Sequence, residues 1–135
     1  MRGVPSSRVD IVDETYIDAP PEVTAAVLTH PVNTAAAWPH VRLGAMRDRG
    51  AQGAIWEVAG LLTGEFEIWV EPYWEGAIVH HYVRAAAHGD GRVVERAHVR
   101  RWKRHVRAVK DALEPARRTW SLHGGESARS LVDDL

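Results

Sequence analysis

The chain has 135 residues, of which 45% are hydrophobic, and this suits one globular domain with a core of its own. It has no cysteine, which excludes disulfides, thiolate nucleophiles and cysteine metal sites. The formal net charge is only -1, but acidic residues dominate the first two thirds of the chain and basic residues the last third. The first residues lack an apolar segment, and no stretch reaches roughly 18 uninterrupted apolar residues, so a cytoplasmic protein without membrane insertion is expected.

The first predicted elements are a strand and two short helices. Apolar and polar residues alternate over residues 8–19, which indicates a strand with Asp13 on its apolar side. Two prolines followed by a glutamate predict a short helix over residues 20–30, and a further proline separates it from a second helix over residues 32–37. Trp38 ends that helix, because a residue that precedes proline avoids the helical conformation.

Strands are predicted over residues 41–46 and 54–61, followed by a β-hairpin over residues 65–87. With Glu75-Gly76 as its turn, Val70 lies opposite His81 in the hairpin.

The face of the strand over residues 54–61 depends on the turn that follows it. A turn at Thr63-Gly64 places Glu57 opposite Val70 and in one row with His81. A turn one residue longer inverts this strand, so that Trp56 and Val58 point inward instead.

One face of the hairpin is apolar, and His81 is the only titratable residue on it. This face is therefore the predicted wall of a binding site. Its apolar members are Phe66, Ile68, Val70, Val79 and Val83.

An amphipathic helix is predicted from about Val93 to Glu114, ending near Pro115. Its basic residues are interpreted as a solvated helix face. One domain is expected over residues 8–120, with flexible segments at residues 1–7 and 121–135. The apolar stripe of the helix contains Val99, Trp102, Val106, Val109 and Leu113.

Three features together resemble the SRPBCC (START-like) superfamily, in particular its short bacterial members described as polyketide cyclase/dehydrase or lipid-transport proteins. They are the segment Ile17-Asp18-Ala19-Pro20-Pro21-Glu22-Val23, the Trp38-Pro39 that closes the small helices, and the final amphipathic helix. The similarity covers about residues 8–114. It implies an α+β helix-grip fold, in which a curved antiparallel β-sheet wraps around a long C-terminal α-helix, with two short helices after the first strand.

The resemblance also implies an internal cavity for a hydrophobic small molecule, polyketide-like or acyl, and it implies no cofactor. We expect His81 and Glu57 to act as acid and base if the ligand is cyclised or dehydrated. The residues expected to contact the ligand, with Trp38 near the mouth, are Asp13, Trp38, Phe66, Ile68, Val70, Val79, Val83, Trp102 and Val106. If the sheet curls the other way, the cavity would instead be lined by Trp56, Trp69, Glu71, Tyr82 and Arg84.

Two alternative functions remain open at this point. One is a non-catalytic carrier or sensor of lipid or acyl ligands, and the other is an interaction module that uses the basic C-terminal helix. No nucleic-acid partner is expected, a homodimer is conceivable, and no metal site is expected. His98 and His105 lie two helical turns apart, about 10.5 Å, which is too far for one ion.

Overall fold

Five antiparallel strands form one curved sheet, with two short helices and one long helix packed on its inner face. The computed structural model describes the backbone of residues 7–133 and the side chains of residues 7–115. The elements are β1 (Ser7–Ile17), α1 (Pro21–Thr29), α2 (Pro31–Ala37), β2 (Val41–Asp48), β3 (Gly53–Gly60), β4 (Leu62–Tyr73), β5 (Gly76–Ala87) and α3 (Gly91–Asp133). This is the α+β helix-grip architecture expected from the sequence.

The sheet order is β1-β5-β4-β3-β2, so that β1 and β2 are the two edge strands. The contacts of α3 with the sheet are concentrated on β1 and β5, whereas α1 packs mainly on the short 3-10 helix Gly50–Gln52 between β2 and β3, and then on β4 and β3. The core lies between these helices and the sheet. Consequently β2 is the sheet edge that lies farthest from α3.

The long helix begins earlier and ends later than the sequence pattern predicts. Asp90 accepts a hydrogen bond from the backbone N–H of Arg92 at 3.0 Å and so caps its first turn. The predicted end near Pro115 is wrong, because the backbone stays helical to Asp133. A proline inside a helix costs about 3 kcal/mol and one hydrogen bond, but strong helix formers flank Pro115 on both sides.

The apolar stripe of α3 lies on the core as predicted, with Trp102, Val106 and Val109 buried. The predicted flexible segments fall mostly outside what the structure describes. Residues 1–6 are not described, and beyond residue 115 the structure describes only the helical backbone as far as Asp133. Their flexibility stays a prediction.

The hairpin of β4 and β5 has the predicted faces but not the predicted register. Tyr73 pairs with Gly76, so the turn is Trp74-Glu75, and Trp74 adopts a positive φ of 53°. Ile68, and not Val70, therefore lies opposite His81. The observed register differs from the predicted one by two residues. Because side chains alternate between the two faces of a strand, a shift by an even number leaves each side chain on its predicted face.

Gly76 belongs to the strand and not to the turn. A Cβ atom at this position would lie 2.4 Å from the carbonyl oxygen of Ile17. The close approach of β1 to β5 therefore requires glycine here, which explains why the sequence suggests a turn one residue too late.

The register of β3 contradicts the predicted placement of Glu57. Val58 pairs with Gly64 and Trp56 pairs with Phe66, so Trp56 and Val58 face the core. Glu57 lies opposite Glu65 and is exposed. The chain turns around Leu61 and not at Thr63-Gly64, and the inverted face follows from this change of turn.

Gly64 lies within β4, and alanine at this position is expected to destabilise the fold strongly. Its Cβ atom would lie 2.2 Å from the carbonyl oxygen of Arg84, at a φ of +154°. We expect Gly64→Ala to lower the free energy of unfolding by about 3 kcal/mol or more, measured by urea unfolding. Gly50→Ala is the control. Gly50 has a φ of +59°, and a Cβ atom added there would have no neighbouring atom within 4 Å, so only about 1 kcal/mol of backbone strain is expected. Equal losses would contradict the close strand approach.

Candidate functional site

His81 lies on the inner face of the sheet and is completely buried. On one side it pairs with Ile68 of β4, and on the other with Asp13 of β1. The central strand β5 therefore carries an imidazole into the middle of the core. The apolar side chains predicted to surround it are all buried on this face: Phe66, Ile68, Val70, Val79 and Val83.

Aromatic and histidine rings fill the space around His81, and we call them the interior ring cluster: Trp38, Trp56, Phe66, His81, His98 and Trp102. The ring centroid of His81 is 4.3 Å from that of Trp102 and 5.3 Å from that of Trp38. Trp38 also contacts Phe66 at 5.1 Å and Trp56 at 5.2 Å. These rings occupy the position where the sequence predicts a cavity, and Trp38, expected near its mouth, lies at its centre with 1% of its surface exposed.

Three histidines form a hydrogen-bonded row that crosses the core, and we call His81, His98 and His40 the histidine row. Nδ1 of His81 is 2.8 Å from the backbone carbonyl oxygen of Glu67, and its Nε2 is 2.9 Å from Nε2 of His98. Nδ1 of His98 is in turn 2.8 Å from Nε2 of His40. His98 and His81 are buried and His40 is partly exposed, so the row runs from the surface to the centre of the core.

Burial keeps the histidine row neutral at pH 7. It lowers the pKa of His81 to about 4, against smaller opposing effects of the Glu67 carbonyl and Asp13. It also lowers the pKa of His98 to about 2, reinforced by His81 and His40. Burial, followed by the charge of Arg101, lowers the pKa of His40 as well.

Asp13 is a carboxylate that lies opposite His81 on the neighbouring strand, and its hydrogen bonds hold it in place. Oδ2 of Asp13 accepts a hydrogen bond from the indole N–H of Trp102 at 3.0 Å and another from Thr15 at 3.3 Å. Lys103 forms an ion pair with its other oxygen. The predicted position of Asp13 on the inner side of β1 therefore ties β1 to α3.

Two buried polar atoms of this region have no hydrogen-bond partner among the described residues. They are Nε1 of Trp38 and Nδ1 of His40. Both residues lie against Phe66, with ring centroids 5.1 Å and 6.4 Å from its own. An unpaired indole N–H and an unpaired imidazole nitrogen thus lie beside the same ring, which is costly in an apolar interior.

Four of the five residues predicted to line the cavity if the sheet curls the other way lie on the outside of the sheet. The ring of Trp69 stacks on that of His80 at 4.2 Å, and Arg84 pairs with Glu67 at 2.8 Å. His80 lies between two carboxylates, 2.9 Å from that of Glu71 and 3.0 Å from that of Glu14. Only Trp56 of the alternative set reaches the core; the four on the outer face are Trp69, Glu71, Tyr82 and Arg84.

Three depressions lined by described residues lie on the outside of the molecule. The first, of about 320 Å³, includes Glu57 and Glu65, and the second, of about 360 Å³, surrounds the hairpin tip at Trp74. The third, of about 550 Å³, is lined by basic residues of α3 such as Arg104 and Arg107. Glu57 therefore borders a surface depression and cannot act together with His81.

Within residues 7–115 no group of three histidine or acidic side chains is arranged to hold a metal ion. In the described part of the chain, no helix has an apolar stretch long enough to cross a membrane.

His40 and His98 are not among the site residues predicted from the sequence. His98 precedes Trp102 by four residues, so its position on the apolar stripe of α3 was a usable signal. His40 offered no signal, because it belongs to the short connection between α2 and β2 and reaches His98 only in the folded chain.

No protein-family model and no curated protein sequence matches the chain. Among solved structures it is similar to one described as the solution structure of the Aha1 dimer from Colwellia psychrerythraea. The TM-score is 0.57 and the identity 19%, over 78% of this chain and 96% of that chain. At this identity the similarity shows a shared fold. The chain is therefore a helix-grip protein with a buried polar site between its sheet and its long helix.

Proposed function

We propose that the interior of this protein binds a hydrophobic small molecule, polyketide-like or acyl, in a cavity that opens when rings of the interior ring cluster move aside. The observation that carries this proposal is the polar content of the core. A histidine row and an unpaired indole N–H lie where purely apolar residues would give a more stable fold. Groups that a fold does not need for stability are expected at functional sites.

The edge strand β2 is the proposed entry side, because α3 packs on the opposite half of the sheet. Leu43 pairs with Val58 and Met46 pairs with Trp56, and a β-bulge between Leu43 and Met46 lets both lie on the inner face. Met46 is 45% exposed, whereas Trp56 below it is 3% exposed. Met46 therefore lies at the surface in register with Trp56, and the ring of Trp56 packs on that of Trp38 in the core.

The uncharged fluorescent probe N-phenyl-1-naphthylamine tests this proposal. We expect about one equivalent to bind and to quench tryptophan emission. Leu43→Trp should weaken binding at least tenfold, since a larger ring on the inner face of β2 narrows the entry. Val12→Trp is the matched control, because Val12 is 72% exposed on the other edge strand and binding should not change. Absence of binding to the wild-type protein at millimolar probe would refute the proposal.

Acid–base catalysis of a cyclisation or dehydration is the finer form of this proposal, and a non-catalytic carrier is its alternative. Substitution of His81 distinguishes them. An enzyme should lose turnover while it retains the ligand within about tenfold, or roughly 1.4 kcal/mol, whereas a carrier should change only in affinity.

We also propose a homodimer, because the structurally similar protein is described as a dimer. Sedimentation equilibrium should then give about twice the chain mass of 15.0 kDa. A species of single chain mass at 100 μM would exclude a stable dimer.

A further inference from the structure

The hydrogen bonds of the histidine row assign a tautomer to each of its members. A carbonyl oxygen can only accept, so Nδ1 of His81 carries a hydrogen toward the Glu67 carbonyl. A neutral imidazole has one N–H, and Nε2 of His81 is therefore an acceptor. The hydrogen between His81 and His98 must then belong to Nε2 of His98.

The same reasoning extends to His40. Because Nε2 of His98 carries the hydrogen, Nδ1 of His98 is an acceptor, and Nε2 of His40 must donate to it. This leaves Nδ1 of His40 with a lone pair. That atom is buried and without a partner among the described residues. Both nitrogens of His81 and both of His98 are already engaged, so His40 supplies the free nitrogen of the row.

We infer that Nδ1 of His40 is the hydrogen-bond acceptor of the interior site, and that the site prefers aromatic or enolic molecules that carry a hydroxyl group. This inference rests on the proposed function and specifies its ligand. A hydroxyl donates to Nδ1 of His40, and its oxygen, or a carbonyl elsewhere on the ligand, accepts from the indole N–H of Trp38. Phe66, which both residues contact, provides the apolar surface for the ring.

His98 and His81 are positioning residues in this arrangement. They contact no ligand in it, but they hold the hydrogen of His40 on Nε2 through the chain of bonds that ends at the Glu67 carbonyl. Without His98, His40 would be free to place its hydrogen on Nδ1, and that nitrogen could then no longer accept a hydrogen bond from a hydroxyl group.

Equilibrium dialysis with 2-naphthol and 2-methoxynaphthalene tests the ligand preference. The two rings are the same, but only 2-naphthol can donate a hydrogen bond. We expect the wild-type protein to bind 2-naphthol about tenfold more tightly, and His40→Phe to bind the two compounds alike. His88→Phe is the control, because His88 is exposed and its variant should keep the preference.

Nitrogen-15 NMR of the histidine side chains tests the row without any ligand. We expect His40 in the wild-type protein with its hydrogen on Nε2, and a mixture of tautomers in His98→Phe. A hydrogen on Nδ1 of His40 in the wild-type protein would overturn the inference.

The outcomes separate this inference from the proposed function. If both compounds bind equally to the wild-type protein, the interior binds apolar molecules but His40 is not their acceptor. If neither compound binds, the proposed function fails and the ligand preference fails with it.

Discussion

Replacement of Trp38 by alanine is expected to lower the free energy of unfolding by about 3 to 5 kcal/mol, measured by urea unfolding. Trp38 is 1% exposed and contacts four other members of the interior ring cluster, so its removal leaves a large cavity. Part of the stability lost in Trp38→Ala is offset, because the substitution also removes the unpaired indole N–H.

Trp74→Ala is the matched control for Trp38→Ala. Trp74 is 86% exposed at the hairpin tip, and its replacement should change the free energy of unfolding by less than about 1 kcal/mol. A loss below about 1 kcal/mol for Trp38→Ala as well would show that Trp38 does not hold the ring cluster together.

Acidification from pH 6.5 to 4 is expected to destabilise the protein by about 3 kcal/mol through His81 alone. The pKa of His81 is lowered to about 4 in the folded protein and is about 6.5 when unfolded, so the unfolded state binds the proton first. The stability is complete above pH 6.5 and is lost as the pH falls toward 4. The pKa of His98, lowered to about 2, adds a loss of similar size in the same range.

Removal of one buried histidine should make this pH dependence less steep. Between pH 6 and 4.5, the slope of the unfolding free energy against pH should be lower by about 1.4 kcal/mol per pH unit in His98→Leu than in the wild-type protein. Trp74→Ala, which removes no titratable group from a site that is 86% exposed, should leave the slope unchanged. An unchanged slope in His98→Leu would mean that His98 is protonated in the folded protein.

The order of the elements and the inner face of the central hairpin were predictable from the local sequence pattern. The alternation of Phe66, Ile68 and Val70 with polar residues has a period of two, and so has that of Val79, His81 and Val83. The observed register differs from the predicted one by two residues, and every side chain of the hairpin keeps its face. The burial of His81 was therefore predictable even with the wrong turn.

The face that β3 turns to the core, in contrast, depends on contacts between strands. Its pattern fits either face, and the choice depended on whether Gly64 forms a turn or lies in a strand. Glycine is common both in turns and at strand positions where another backbone comes close. Gly64 is of the second kind, because a Cβ atom on it would lie 2.2 Å from the carbonyl oxygen of Arg84. That neighbour comes from another strand and leaves no trace in the local sequence, which is why Glu57 was placed wrongly.

The histidine row was also decided by the tertiary structure. Its three members come from the α2–β2 connection, from β5 and from α3, and no spacing in the chain relates them. Periodicity can assign a residue to a face of its own element, but it cannot say which residue of another element lies opposite. The packing of α3 against β5 determines that, and with it which imidazole nitrogen of the row, Nδ1 of His40, has no hydrogen-bond partner among the described residues.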